Sequence, residues 1–163
     1  MSGRAWVFGD NIDTDAIAPG IYMKLGPEEI AAHCFEAIAP DFAKKVTAGD
    51  IVVGGANFGM GSSREQAPQA LKILGVGAVL AASFARIFYR NALNLGLPAI
   101  ILPEAKEIVA GDRLTVDPVA GTVVNETQNR SYACDPIPDH LMAMIADGGL
   151  MAHLKKKIDS GVL

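Results

Sequence analysis

The sequence predicts an α/β fold in which a parallel β-α-β-α-β unit is followed by antiparallel strands. Three short apolar runs, at residues 50–55, 78–84 and 99–102, have the composition of strands that are buried on both faces. Two segments with helical spacing of apolar residues, 65–75 and 85–96, separate these runs. Because strands that alternate with helices usually pair in parallel through right-handed crossovers, this part of the chain is expected to form a parallel sheet.

The N-terminal part is expected to supply one strand, a polar loop and a helix. RAWVF (4–8) is typical of a first strand, and the turn-rich GDNIDTDAIAPG (9–20) is typical of a loop. Pro27 suits the first turn of a helix, because its missing N–H has no partner to lose there. This helix is expected to run to about Pro40.

Both helices of the parallel unit carry boundary signals. Pro68 is tolerated only in the first turn of a helix, so the first helix is expected to begin near Ser63. Gly96 has the position and residue type of a C′ glycine that ends the second helix.

After the third apolar run the pattern changes to short alternating strands. RLTVD (113–117), GTVVNE (121–126) and SYAC (131–134) are separated by turn residues, which predicts antiparallel hairpins. Two helices, over 138–149 and 150–158, are expected to close the chain, with three lysines as a solvated helix end. Since no repeat or linker interrupts the sequence, residues 1–163 are expected to form one domain.

Composition excludes several classes of function. The net charge of −4 over 163 residues provides no general attraction for nucleic acid or anionic membranes. No apolar run is long enough to span a bilayer, and the N-terminus lacks the apolar stretch of a signal peptide, so a cytoplasmic location is expected. Cys34 and Cys134 lack metal-binding spacing, and both are expected to be reduced thiols rather than ligands of zinc or of an iron–sulfur cluster.

The stretch GGANFGMGSSREQAP (54–68) predicts an anion-binding site. It connects a buried strand to a helix, and ligands commonly bind at the carboxyl ends of parallel strands. Its glycines allow the backbone to approach a ligand closely, and a helix start carries partial positive charge. Arg64 adds a planar fork that suits a carboxylate or a phosphate.

Several other interpretations of this stretch fit less well. A P-loop needs a lysine before the hydroxyl residue, where Gly61 stands. A dinucleotide fingerprint would need a glycine where Arg64 stands. A nucleophile elbow would need a glycine two residues after its serine, and Arg64 stands there too. A purely structural alternative stays open, in which Ser62 or Ser63 caps the following helix through a capping box.

Three acids lie in the polar loop near the N-terminus. Asp10, Asp13 and Asp15 lack the glycine and the terminal glutamate of a calcium-binding EF-hand loop. Some of them are expected to form Asx turns, and they could also orient a base or a partner's histidine.

Three motifs, in this order, resemble the small subunits of the aconitase superfamily. They are GDNIDTD (9–15), GMGSSRE (59–65) and ASFARIFYRNALNLGLP (82–98). The resemblance covers nearly the whole chain and is nearest to the branch of 3-isopropylmalate dehydratase small subunits. It implies a three-layer β/β/α swivelling domain, which is compatible with the α/β pattern above.

The resemblance also implies an activity. In this superfamily a hydro-lyase moves a hydroxyl between adjacent carbons of a di- or tricarboxylate by dehydration and rehydration. A [4Fe-4S] cluster serves as Lewis acid, and in split enzymes the large subunit holds it. The chain is then expected to be active only with a large-subunit partner. Homoaconitate hydratase and dehydratases of methyl-substituted malates (citraconate or dimethylmalate) remain alternatives, as does a stand-alone carboxylate-binding module.

The resemblance assigns roles at the glycine-rich stretch and in the N-terminal loop. Ser62 matches the base that takes a proton from carbon, and Ser63 and Arg64 match residues that hold the substrate carboxylate. Asp15 matches an acid that faces the active site.

Other positions depart from the superfamily pattern. The loop after the TD pair is short, and Tyr22, Met23 and Lys24 are expected to face the variable part of the substrate. Lys24 could instead be a solvated side chain on a mobile loop. Gln66 stands where many relatives have histidine and cannot carry charge, and Arg86 is expected to have a structural or interface role.

Overall fold

The computed structural model describes residues 1–162, which form one seven-stranded sheet with helices against it. The strands are β1 (Ser2–Val7), β2 (Ile51–Gly54), β3 (Ala78–Ala81), β4 (Ala99–Ile101), β5 (Arg113–Asp117), β6 (Thr122–Asn125) and β7 (Arg130–Ala133). The helices are α1 (Thr14–Ile17), α2 (Pro27–Ala31), α3 (Phe42–Lys45), α4 (Gln66–Ile73), α5 (Arg86–Asn94), α6 (Asp139–Ala146) and α7 (Leu150–Asp159). Within these residues, no helix is both long enough and apolar enough to cross a bilayer.

The strand order β4-β3-β2-β1-β5-β6-β7 confirms both predicted parts of the sheet. Strands β1 to β4 are parallel, and β5, β6 and β7 pair as antiparallel neighbours. Strand β1 joins the two parts: residues 2–4 pair antiparallel with β5, and residues 5–7 pair parallel with β2.

Strands β2 and β3 are buried on both faces, as their continuous apolar runs predict. Val52 of β2 lies in a core cluster with helix residues such as Phe42 and Leu71, which we call the helix-side core. Ile51 and Val53, its neighbours on the same strand, lie in a second cluster with β5 and β6, which we call the hairpin-side core. The parallel strands therefore form the middle of three layers, and the predicted β/β/α architecture is confirmed.

The predicted helix from Pro27 to about Pro40 is wrong in its length. Helix α2 ends at Ala31, and turns follow before α3 begins at Phe42. Phe35 has a φ of +59°, a left-handed conformation that no helix can contain. Its fully buried ring stacks on Phe8 with 4.0 Å between centroids, so a distant aromatic partner outweighs the local helical pattern.

Asp50 is a buried carboxylate that anchors the start of β2 against β1. It accepts hydrogen bonds from the indole Nε1–H of Trp6 (3.0 Å) and from the backbone N–H groups of Thr47 (2.9 Å) and Arg4 (3.2 Å). Burial is the largest single influence and raises the pKa of this carboxyl. The three donors and the nearby charge of Arg4 together outweigh it and hold the pKa below its usual value.

We expect Asp50→Asn to lower the free energy of unfolding by about 1–3 kcal/mol near neutral pH, because buried donors lose a charged acceptor. The folded-state pKa lies below the unfolded value of about 3.9, so the carboxylate's contribution is present above that pH. It is lost as the pH falls through the folded-state pKa, and the two proteins should then converge. Urea unfolding followed through Trp6, the one tryptophan in the chain, measures this. A difference that stays constant down to about pH 3 would contradict the prediction.

Candidate active site

Three loops meet at the carboxyl ends of the parallel strands and are joined through their backbones. After β1, the Ile12 carbonyl accepts from Gly59 N–H at 2.7 Å, and Thr14 N–H donates to the Met60 carbonyl at 2.8 Å. After β3, the Ser83 carbonyl accepts from Phe58 N–H at 3.0 Å. The glycine-rich loop after β2 therefore lies between the other two, at the edge of the sheet where the sequence predicts a ligand site.

The three acids of the N-terminal loop have separate backbone partners. Asp10 Oδ1 accepts from Ala56 N–H at 2.7 Å, and Asp13 Oδ1 caps α1 by accepting from Ala16 N–H at 2.7 Å. Asp15 Oδ1 accepts from Gly20 N–H at 2.8 Å. Within residues 1–162 none of these carboxylates accepts from the N–H two residues further along the chain, so the expected Asx turns are not formed. Each carboxylate instead fixes a different piece of backbone.

Two glycines of the central loop adopt conformations that favour glycine. Gly59 has a φ of +83° and Gly61 a φ of +97°. A Cβ on Gly59 would lie only 2.2 Å from the ring of Phe88 on α5. The loop can pass this close to α5 only because residue 59 lacks a side chain.

We expect Gly59→Ala to destabilise the protein more than the matched control Gly111→Ala. Both glycines have positive φ, but a Cβ on Gly111 would have no atom within 4 Å. The control should cost about 1–2 kcal/mol for the left-handed conformation. Gly59→Ala should cost a further amount of about 1–3 kcal/mol for the clash with Phe88. Equal midpoints for the two variants in urea unfolding would show that the loop moves away from α5 without cost.

The hydroxyls of Ser62 and Ser63 are not used by the fold. Both residues are exposed, and neither hydroxyl makes a hydrogen bond within residues 1–162. Helix α4 begins at Gln66, later than the expected start near Ser63, and it has no side-chain cap. The capping alternative is therefore wrong, and the helix N-terminus lies three residues beyond Ser63. Pro68 does lie in the first turn of α4, as predicted.

The backbone at Ser62 is held in place although its side chain is free. Its carbonyl accepts from Thr14 Oγ1 at 2.9 Å and from Arg64 N–H at 2.8 Å. Thr14 is buried, so the N-terminal loop fixes the base of the serine pair while both hydroxyls face outward. A fixed backbone with exposed hydroxyls suits serine side chains that bind a ligand.

Arg64 follows the two serines in the chain, and only some of its N–H groups have hydrogen-bond acceptors. Its Nη1 donates to Asp15 Oδ1 at 2.9 Å and to the Ala18 carbonyl at 3.0 Å, and its side chain is 22% exposed. Within the described residues all the side-chain hydrogen bonds of Arg64 come from Nη1. The Nη2 and Nε N–H groups are left to bind an anion.

Asp15 forms an ion pair with Arg64. The hydrogen bond from Arg64 is the largest influence on its carboxyl and, with the Gly20 N–H, holds the pKa below the usual value. The carboxylate is therefore ionised at neutral pH and holds the guanidinium beside the N-terminal loop.

The segment 20–25 lies shortly after Asp15, and its side chains differ in their exposure. Tyr22 and Met23 are half-buried and pack against the helix-side core. Lys24 is exposed, and Ile21 is 84% exposed. Ile21 was not expected at the site, because one apolar residue in a turn carries no signal in the sequence.

Comparisons with known proteins assign the chain to a family. Residues 27–105 match the family described as Aconitase C-terminal domain. The chain is 51% identical to the 3-isopropylmalate dehydratase small subunit of Wolinella succinogenes, over 100% of this chain and 98% of that protein. This chain belongs to the family of 3-isopropylmalate dehydratase small subunits.

Two further similarities bear on structure and on substrate. The crystal structure of 3-isopropylmalate dehydratase (leuD) from Methanocaldococcus jannaschii has a TM-score of 0.92 and 46% identity, covering 99% of this chain and 98% of that one. The methanogen homoaconitase small subunit of Methanothermobacter thermautotrophicus is 48% identical, over 99% of this chain and 95% of that protein. Membership of the family is thus shown, and two kinds of named activity occur among its members.

Gln66 and Arg86, the other two residues singled out in the sequence, lie at the starts of helices. Gln66 is half-buried at the start of α4. Arg86 is exposed at the start of α5 and makes no ion pair within residues 1–162. An internal ion pair does not explain Arg86, and an interface role stays a prediction.

The two cysteines of the chain are not placed to bind an iron–sulfur cluster. Cys34 is fully buried in the helix-side core, and burial raises the pKa of its thiol. Cys134 follows β7 and packs against the other core. Among the described residues no group of three or more His, Cys, Asp or Glu side chains is placed to hold a metal ion. A cluster at this site would have to be held by another chain.

Proposed function

We propose that the chain is the small subunit of a cytoplasmic heteromeric hydro-lyase that interconverts 2-isopropylmalate and 3-isopropylmalate in leucine biosynthesis. The observation that carries the proposal concerns one loop whose backbone is held by Thr14: the Ser62 hydroxyl has no hydrogen-bond partner within residues 1–162, and Arg64 donates from Nη1 alone. The 51% identity to a 3-isopropylmalate dehydratase small subunit along the whole chain supports the choice of reaction.

In this proposal Ser62 Oγ is the base that accepts the proton from the carbon next to a carboxylate. A serine hydroxyl is a very weak acid, so its ionised form needs stabilisation from nearby N–H groups and positive charge. Arg64 supplies that charge. As Ser62 takes the proton, the hydroxyl leaves the adjacent carbon, so that a carbon–carbon double bond forms and the elements of water are lost. In rehydration, Ser62 returns a proton to one carbon while a hydroxyl adds to the other.

Substrate binding in this proposal uses the groups around Ser62. Ser63 and the free N–H groups of Arg64 hold a substrate carboxylate, because two parallel N–H donors match its two oxygens. Asp15 keeps the guanidinium in position, and Tyr22, Met23 and Lys24 belong to the segment that meets the variable arm.

The large subunit completes the site. It holds the [4Fe-4S] cluster in this proposal, since the cysteines here do not fit one, and the cluster supplies Lewis-acid chemistry. The small chain alone should therefore be inactive, and the complex should contain both subunits.

Reconstitution with a cluster-loaded large subunit tests this proposal. The purified chain is mixed with a large subunit of the same family, and the complex is assayed with isopropylmalate and with homoaconitate. We expect turnover of isopropylmalate by the complex and none by the small chain alone. A chain that binds dicarboxylates but never captures a large subunit would instead support the stand-alone binding module.

Homoaconitate hydration is a second candidate, and two observations favour it. Lys24 places an exposed ammonium on the variable segment, and a methanogen homoaconitase small subunit is 48% identical to the chain. Under this candidate the complex would turn over homoaconitate and leave isopropylmalate untouched. The two-substrate assay distinguishes the two directly.

A further inference from the structure

The segment 20–25 is held at its first residue by Asp15, the carboxylate that also binds Arg64. Asp15 Oδ1 accepts from Gly20 N–H at 2.8 Å and from Arg64 Nη1 at 2.9 Å. A Cβ on Gly20 would lie 3.1 Å from Arg64 Nη2. The segment therefore starts in contact with the guanidinium that is proposed to hold substrate.

A second attachment holds the segment at Tyr22. The Tyr22 hydroxyl donates to Glu36 Oε2 at 2.8 Å, and the ring stacks on the imidazole of His33 with 3.8 Å between centroids and 10° between planes. His33 Nδ1 lies 3.0 Å from Glu36 Oε1. Each of the three side chains contacts the other two, and we call Tyr22, His33 and Glu36 the Tyr22 clamp.

Charge supports the same arrangement. The contact with His33 and the hydrogen bond from Tyr22 hold the pKa of Glu36 below its usual value. The Glu36 carboxylate in turn raises the pKa of the Tyr22 phenol. An ionised acceptor and a protonated donor are therefore matched at neutral pH.

The clamp determines which side chains of the segment remain available. With the Tyr22 ring turned to His33 and Met23 packed against the helix-side core, the side chains left exposed are Ile21, Lys24 and Leu25. Ile21 directly follows Gly20, which contacts Arg64. An apolar side chain is thus displayed next to the proposed carboxylate site.

We propose that His33 and Glu36 are positioning residues for substrate selection, because through Tyr22 they fix the segment that displays Ile21 and Lys24 to the variable arm of the substrate. The inference rests on the proposed function and adds residues to it. His33 and Glu36 do not touch the substrate, and they lie in the turns after α2 that the sequence pattern assigned to a regular helix.

Three variants and a matched control test the clamp. Tyr22→Phe removes only the hydroxyl, Glu36→Ala removes the acceptor, and Glu36→Gln keeps an oxygen that can still accept from Tyr22. Asp41→Asn is the control, since Asp41 forms an exposed pair with Lys45 outside the site. Amide hydrogen exchange of peptides covering residues 20–25 in the full chain is measured first, and it needs no substrate.

We expect exchange in these peptides to be about 5-fold faster or more in Tyr22→Phe and Glu36→Ala, as for a segment released from one hydrogen bond. Glu36→Gln should restore most of the protection, and Asp41→Asn should match the unchanged chain. The absorbance titration of Tyr22, isolated by subtracting the Tyr22→Phe curve, should shift to lower pH in Glu36→Ala, because the carboxylate that raises its pKa is gone.

Kinetics of the reconstituted complex complete the test. The Michaelis constant for isopropylmalate should rise by about 5-fold or more in Tyr22→Phe and Glu36→Ala, while kcat stays within about twofold, because the clamp acts on substrate binding and not on proton transfer. Unchanged exchange or an unchanged Michaelis constant in both variants would overturn the clamp. Absence of turnover in the unmodified complex would contradict the proposed function, whereas the exchange and titration data would still decide whether the clamp exists.

Discussion

A complex that carries Ser62→Ala is expected to lose turnover, with kcat lower by about 10²–10⁴-fold, the range that a positioned general base contributes. The structure gives the reason why the effect should be confined to chemistry. The Ser62 hydroxyl makes no hydrogen bond within residues 1–162, and the position of its backbone is held by Thr14 through the carbonyl. The Michaelis constant should therefore change little, and steady-state kinetics of the reconstituted complex measures both quantities.

Stability measurements and a distant serine provide the controls for Ser62→Ala. The variant should keep its free energy of unfolding within about 0.5 kcal/mol of the original chain, because an exposed hydroxyl without partners is removed. Ser131→Ala, at an exposed serine on β7, should leave kcat unchanged. Near-normal kcat in Ser62→Ala would remove this serine as the base, and a large loss of stability would show that its hydroxyl supports the loop.

The sheet could be predicted because its signals are local. The continuous apolar runs at β2 and β3 match strands buried on both faces, and Gly96 ends α5 with a φ of +82° as its position indicated. The alternating runs after residue 112 form the expected hairpins. In each case the pattern within about ten residues already contains the information.

The turns after α2 could not be predicted, since their cause lies elsewhere in the chain. Phe35 has a left-handed conformation and stacks on Phe8. Phe42 packs edge-on against the Phe35 ring, with 5.0 Å between centroids. Residues 28–38 have good helix formers, so local propensity pointed to a longer helix. Tertiary aromatic packing decided the outcome.

The candidate site was predicted in its composition and not in its connections. The glycine loop, the serine pair and Arg64 were identified from their spacing and from the family resemblance. The ion pair between Asp15 and Arg64 joins residues 49 positions apart, and the turn of Tyr22 toward Glu36 spans 14 positions. The first contact depends on how β1 and β2 pair, and the second depends on the turns after α2; single-sequence patterns specify neither.

Arg64 is proposed to bind Asp15 and the substrate carboxylate at the same time, and the planar shape of its guanidinium allows this. One nitrogen, Nη1, donates to Asp15 and to the Ala18 carbonyl, while Nη2 and Nε make no hydrogen bond within residues 1–162. A lysine ammonium could satisfy Asp15 or a substrate carboxylate, but it has no second edge with which to hold both in fixed geometry.

We therefore expect Arg64→Lys to raise the Michaelis constant of the complex by about 10- to 100-fold, which corresponds to the loss of one or two charge-assisted hydrogen bonds. Asp15→Asn should raise it less, because the guanidinium stays present and loses only the carboxylate that orients it. Steady-state kinetics with the same large subunit and the same substrate measures both variants.

The double variant decides whether Asp15 acts through Arg64. If Asp15 only orients the guanidinium, Asp15→Asn should have little further effect once Arg64 is lysine, because residues that share one interaction do not contribute additively. Additive losses in the double variant would mean that Asp15 meets the substrate independently. An unchanged Michaelis constant in Arg64→Lys would remove Arg64 from the carboxylate site, and Ser63 with the backbone around it would then have to hold the anion.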